Sequence, residues 1–169
     1  MLSIVDIAKD KNIEIIFNTE EEEIITAIDE EKIVRVILIL LSNSIKFSKE
    51  KGDICVEMRR EDEEVVIKVT DNGIGINEDM KEKIFDKFKR VQSVSNLNVD
   101  HEGSGLGLYI AKGFIELHNG SISVVSEVEK GSTFIITIPI VIIKNDLHNI
   151  KHMDEDELNR IIKIELSDL

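Results

Sequence analysis

An α+β fold, a two-layer sandwich with helices covering one face of a mixed sheet, is what this 169-residue sequence predicts. Three observations carry that expectation. Segments with strand patterning come as neighbours joined by short charged or glycine-bearing turns, which marks antiparallel pairs. Apolar residues from Ile33 to Leu41 recur at i, i+3, i+4, i+7 and i+8, which marks a helix with a buried face. The elements also lack the strict strand–helix alternation of a doubly wound sheet.

In chain order, residues 2–9 have weak helical spacing. Residues 13–17 and 24–28 read as strands on either side of an acidic turn at 20–23. Asp29 is the N-cap candidate of the main helix, with Lys32 where a full capping box would have Glu or Gln. That helix runs to about Phe47. Its apolar set is Ile33, Val36, Ile37, Leu40 and Leu41, and Val34, Leu38 and Ile39 extend burial to more than one side. Residues 54–59 and 65–70 form a strand pair, and residues 78–88 a short helix. Residues 89–102 are polar and aperiodic, a loop of a length that is usually functional. Residues 105–118 are helical and close at Asn119 and Gly120. Residues 121–126 and 132–140 are the last strand pair, turning at Lys130 and Gly131. The expected division is a domain at 1–143 and an extension at 144–169. In the extension, residues 154–164 have helical spacing and residues 162–166 strand alternation.

The formal net charge is −13. Nucleic-acid binding needs clustered Lys and Arg, so that class is excluded, and direct contact with an anionic membrane is disfavoured on the same ground. Nucleotide phosphates are not excluded, because backbone N–H groups and a cation can receive them locally. The single cysteine, Cys55, allows no intrachain disulfide and points to a reducing compartment. The apolar runs at 36–41 and 134–143 are too short to span a bilayer. The domain is expected to be cytoplasmic, with any membrane anchor elsewhere in a longer parent chain.

Four constellations carry chemistry. Asp71-Asn72-Gly73-Ile74-Gly75-Ile76 follows a strand. A carboxylate accepts without donating, which suits an exocyclic amine, and Gly73 and Gly75 let the backbone turn and approach a flat ring. The plain alternative is a strand-ending turn. Gly103-Ser104-Gly105-Leu106-Gly107-Leu108 ends the polar loop and opens a helix, so successive N–H groups are available to an anion. It is neither a P-loop nor a dinucleotide fingerprint, and alone it reads equally as a hinge. Asn43 stands on the main helix, with Lys46 and Phe47 at i+3 and i+4 on the same face. Its neutral carbonyl oxygen suits a Mg²⁺ ion that keeps its waters, and Lys46 adds positive charge. Standing alone, Asn43 would be a surface or capping residue. In Ile84-Phe85-Asp86-Lys87-Phe88 the aromatic pair is expected to seat the base of the loop in the core.

In this order and on these elements, "LLSNSIKFS", "DNGIGI", "IFDKF" and "GSGLGL" resemble the N, G1, F and G2 boxes of sensor histidine kinases. These belong to the ATPase superfamily shared with gyrase, MutL and the heat-shock chaperones. The resemblance covers about residues 2–140 and implies the histidine-kinase-type ATPase fold. It implies that Asp71 binds the adenine amino group with Gly75 beside the ring, and that Thr133 joins through water. It implies that Asn43 ligates Mg²⁺, that Lys46 reaches toward phosphate, and that residues 89–102 are a lid over ATP. Gly103, Gly105 and Gly107 become its phosphate-side hinge, Leu106 and Leu108 face the core or the ring, and Arg90 is a further phosphate candidate. The implied activity is donation of the γ-phosphate of Mg²⁺-ATP to a histidine on a separate, homodimeric helical domain of the parent chain, with a response regulator downstream.

Two departures qualify the resemblance. The family carries a second Asn one helical turn before the Mg²⁺ ligand, and its gyrase-like and serine-kinase branches carry a catalytic Glu there. Here that position is Ile39. Ile39 disfavours hydrolysis through a cis base and a serine-kinase mechanism, and it is expected to weaken Mg²⁺-ATP organisation. It also keeps open a nucleotide-binding module without transfer activity. No histidine has the phosphoacceptor pattern on a dimerisation helix. His101 precedes Glu102 but lies in the polar loop, and His118 lacks the pattern. His148 and His152, spaced i, i+4, have no further ligands near them and read as ordinary exposed histidines.

Overall fold

A computed structural model describes residues 4–49, 51–89, 105–142 and 153–167. Five strands form one mixed sheet: β1 (Glu14–Thr19), β2 (Asp53–Glu61), β3 (Glu64–Asp71), β4 (Ser121–Glu127) and β5 (Gly131–Pro139). Their order across the sheet is β1-β2-β3-β5-β4. β1 and β2 are parallel and the other neighbours antiparallel. Four α-helices accompany the sheet: α1 (Ile4–Asp10), α2 (Glu30–Phe47), α3 (Gly107–Leu117) and α4 (Glu155–Glu165). The α+β sandwich with a mixed sheet is therefore the observed class.

Alternation decides the layering. On β3, Ile67, Val69 and Asp71 point to one face and Val66, Lys68 and Thr70 to the other. The first set meets Val36, Leu40 and Ile45 of α2, Ala111 and Ile115 of α3, and Phe134 and Ile136 of β5 in one core. α2 starts as its sequence requires, the Asp29 carboxylate accepting from Lys32 N–H at 3.2 Å. His118 then ties α3 to this start. Its Nε2 accepts from Asp29 N–H at 3.0 Å, so Nδ1 carries the proton and donates to the Phe114 carbonyl at 2.7 Å.

Two expected elements differ. Residues 24–28 are not a strand. They are held to the chain leaving β5 by Ala27 N–H to the Val141 carbonyl and by Val141 N–H to the Thr26 hydroxyl, and the Asp29 cap follows too closely for a ladder to extend. Residues 78–88 are not a continuous helix but two 3₁₀ turns, Glu78–Met80 and Lys83–Phe85. The second inserts Ile84 and Phe85 into the core, Phe85 meeting Phe134 edge to face at 6.5 Å. Phe88 is not seated with Phe85. It takes a left-handed φ of 63° and stays exposed under the Lys87 ammonium.

Within the extension, α4 is helical, and its strand alternative is excluded by the Asp154 cap and the turns that follow it. It lies on the outer side of α2. Arg35 of α2 donates to Glu165 at 3.0 Å, and the Glu30 carboxylate accepts from Met153 N–H at 2.9 Å. Leu38, Ile161 and Leu166 are buried outside the main core, so α2 is covered on two sides.

Candidate nucleotide site

The end of β3, the C-terminal half of α2 and the turn between β4 and β5 converge on Asp71. This carboxylate is 6 % exposed. Gly73 N–H donates to Oδ1 at 2.9 Å and the Ser44 hydroxyl to Oδ2 at 3.3 Å. Burial pushes the Asp71 carboxyl above its usual range, and bonds from the Gly73 and Ser132 backbone and the Ser44 hydroxyl pull it partly back. These three donors leave about one of the four lone-pair sites of the ionised carboxylate, so Asp71 can still accept from an amine.

The loop after Asp71 is gripped from two sides. Ile74 N–H donates to the Phe47 carbonyl at the end of α2 at 3.1 Å. On the other side Glu129 N–H donates to the Ile74 carbonyl at 2.8 Å, and Ile76 N–H to the Ser126 hydroxyl at 2.8 Å. Gly75 has φ +71°, and a β-carbon there would overlap the Glu127 carbonyl. Gly73 is equally confined, against the Phe47 carbonyl and Asp71 Oδ1. Both glycines are thus required by packing against the protein's own backbone.

Asn43 and Lys46 lie half-buried on α2, and Asn43 directly precedes Ser44, the partner of Asp71. Gly105, at φ +67°, accepts from Phe88 N–H at 3.1 Å, so the chain re-enters beside the point where it left at Lys89. Gly107 starts α3, and a β-carbon there would stand 3.2 Å from Cγ2 of Ile39. The N-cap Leu106 supplies no side-chain cap to α3. Leu108 packs against the core. Arg90, Gly103, His101, His148, His152 and residues 90–102 of the expected lid lie outside the described residues.

Thr133 is not part of this group. It pairs with Thr70, and the two hydroxyls meet at 3.1 Å on the sheet face opposite Asp71. Its neighbour Ser132 stands across from Asp71 instead, buried, its hydroxyl 3.0 Å from that of Ser126. Ser44, Ser126 and Ser132 escape a reading that takes residues singly. Strand alternation from Phe134, a core residue, is the available signal, since it puts Ser132 and not Thr133 on the core face.

An open groove of about 460 Å³ runs between the second 3₁₀ turn and α3, lined by Phe85, Lys87, Tyr109, Phe114 and Leu117. Tyr109 and Leu117 are exposed there. Among the described residues no group of three or more His, Cys, Asp or Glu stands together to hold a metal, and no helix is long and apolar enough to cross a membrane.

Residues 28–142 match the family described as histidine kinase-, DNA gyrase B- and HSP90-like ATPase. The chain is similar to the sensor histidine kinase WalK of Bacillus subtilis, 35 % identical over 136 residues that cover 79 % of this chain and 22 % of that kinase. It thus spans about a fifth of the length of that relative. Among solved structures it is similar to the catalytic domain of histidine kinase ThkA, with TM-score 0.69 and 29 % identity over 80 % of this chain and 85 % of that one. Full-length ShkA in complex with AMPPNP gives TM-score 0.71 at 26 % identity, over 83 % of this chain and 28 % of that one.

Proposed function

This chain belongs to the histidine kinase-, DNA gyrase B- and HSP90-like ATPase family, and from that premise we propose that it binds Mg²⁺-ATP and presents the γ-phosphate to a histidine on a separate dimerisation domain. The observation that carries the reading is the buried Asp71 carboxylate beside the confined Gly73–Gly75 backbone. An acceptor-only group beside a glycine backbone packed too tightly for side chains favours adenine over guanine, which has an acceptor at the corresponding position. The resemblance to ShkA, solved with an ATP analogue, supports the same ligand class.

The remaining roles follow the chain outward from adenine. Lys46 neutralises phosphate charge. Gly105 and Gly107 open α3, whose first N–H groups face an anion favourably, and the close approach of Phe88 to Gly105 supports a hinge for a lid that includes Arg90 and Gly103. Asn43 offers Mg²⁺ one neutral oxygen, which fits an ion arriving on the phosphates with most of its waters. The ion supplies charge neutralisation for phosphoryl transfer. The rest is positioning by this chain. Leu108 packs against the core where α3 begins, and Leu106 is proposed to face the core or the ring. The transfer partner is the histidine-bearing helical domain of a homodimeric parent, and a response regulator receives the phosphate next.

Transfer from γ-labelled ATP to a separately prepared histidine-bearing dimerisation domain tests the proposal. Acid-labile label on that domain is the expected result. Nucleotide binding without any label would favour the second reading, a nucleotide-binding module without transfer, which the apolar Ile39 supports. A hydrolase or serine kinase is disfavoured, because one turn before Asn43 the chain has no carboxylate to activate a nucleophile.

A further inference from the structure

Ile39 and Asn43 lie one turn apart on α2 and share a face. Ile39 is 4 % exposed and belongs to the main core. Its Cγ2 methyl lies under Gly107, the first residue of α3. Where a second oxygen would be needed to share a cation with Asn43, the chain therefore has a methyl group wedged against the start of α3. The one buried carboxylate among the described residues, Asp71, is engaged by Gly73 and Ser44 and belongs to the other end of the site.

We infer that Ile39 makes nucleotide binding by this chain largely independent of a divalent cation. A Mg²⁺ ion on the phosphates would exchange one water for one neutral amide oxygen, and Mg²⁺ gives up its waters reluctantly, so the gain is small. Affinity instead comes from the Asp71 end, the Lys46 charge and the N–H groups of α3. The inference rests on the nucleotide reading and concerns how that site is regulated by metal.

Calorimetric titration with ATP, in excess Mg²⁺ and again in chelator, tests it. A salt concentration of about 0.15 M limits the long-range repulsion of free ATP by an acidic protein. The expected Kd values differ by less than about fivefold, under 1 kcal/mol. A larger loss of affinity in chelator, with tight binding in Mg²⁺, overturns the inference and leaves the nucleotide reading intact. Absence of binding in both conditions overturns the nucleotide reading. Ile39→Asn supplies the missing oxygen and should widen the Mg²⁺-to-chelator ratio about tenfold. Because Ile39 is buried and that variant risks misfolding, Asn43→Asp is the companion. At this half-buried position a carboxylate repels bare phosphate and binds the cation, so the ratio should widen by a similar factor. An unchanged ratio in folded Asn43→Asp would mean that Asn43 does not face the cation, and the inference falls.

Discussion

Ser44 and Asp71 meet where α2 passes the end of β3, the serine hydroxyl donating to Oδ2 across 3.3 Å. The contact joins the helix that carries Asn43 to the strand that carries the carboxylate proposed to select adenine. Asp71→Asn keeps the shape but turns one acceptor into a donor, which would face the adenine amine donor to donor. ATP affinity should fall by about 1–3 kcal/mol, about fivefold or more, by calorimetry, with an unchanged circular dichroism spectrum. Equal Kd values for the two proteins would remove Asp71 from the site.

The same residue predicts a pH dependence. Burial is the largest influence on Asp71 and raises its pKa in the folded protein. Above the ordinary carboxylate value the unfolded chain therefore binds fewer protons at this group than the folded one, and stability falls as pH rises. The contribution of Asp71 is complete below that ordinary value and is lost as the pH passes the raised folded value. Asp71→Asn lacks this dependence. Between about pH 4 and pH 7 the Tm of the native protein should fall relative to the variant's, read from thermal unfolding at matched ionic strength. A constant difference would contradict the burial of a charged Asp71.

Most of the fold was legible because the signals were local and agreed. The period of α2, its Asp29 cap, the Asn119-Gly120 stop and the strand alternations each depend on neighbours in sequence. The misreadings share a physical cause. Residues 24–28 have strand composition, but only a sheet edge with room for them could have made a strand. Residues 78–88 have helical composition, yet seating Ile84 and Phe85 in the core broke the segment into two turns. The motif points to Thr133, whereas register across β3 and β5 puts Ser132 beside Asp71. The hydroxyls of Ser44 and Ser126 meet Asp71 and Ile76 N–H, on elements distant in sequence, and no local window around either serine contains those partners.

Gly75 and Gly113 should respond oppositely to alanine. Gly75 has a left-handed φ and no room for a β-carbon beside the Glu127 carbonyl. Gly75→Ala should cost more than about 2 kcal/mol in urea unfolding. Gly113 lies inside α3, and a β-carbon there would meet nothing within 4 Å. Gly113→Ala should stabilise by roughly 0.5–1 kcal/mol, because alanine is the better helix former. Similar effects at both positions would mean that the Gly73–Gly75 loop is not held against the β4–β5 turn.

The outer face of α2 gives the last prediction. Leu38 is buried there although it points away from the main core, and the apolar side chains buried with it outside that core on the same flank are Ile161 and Leu166 of the α4 segment. The Arg35–Glu165 ion pair lies at the same contact but is partly open to solvent, with 29 % and 13 % of the side chains exposed. Apolar burial should therefore dominate how α4 is held. Ile161→Ala should destabilise by about 2–4 kcal/mol, from lost transfer energy and an unfilled cavity. Glu165→Gln should cost about 1 kcal/mol or less, since its partner Arg35 keeps solvent access and the Phe114 ring 5.7 Å away. Urea unfolding of the two variants separates these contributions. If Ile161→Ala unfolds within about 0.5 kcal/mol of the parent, α4 does not cover α2 in solution, and Leu38 must be protected by another surface.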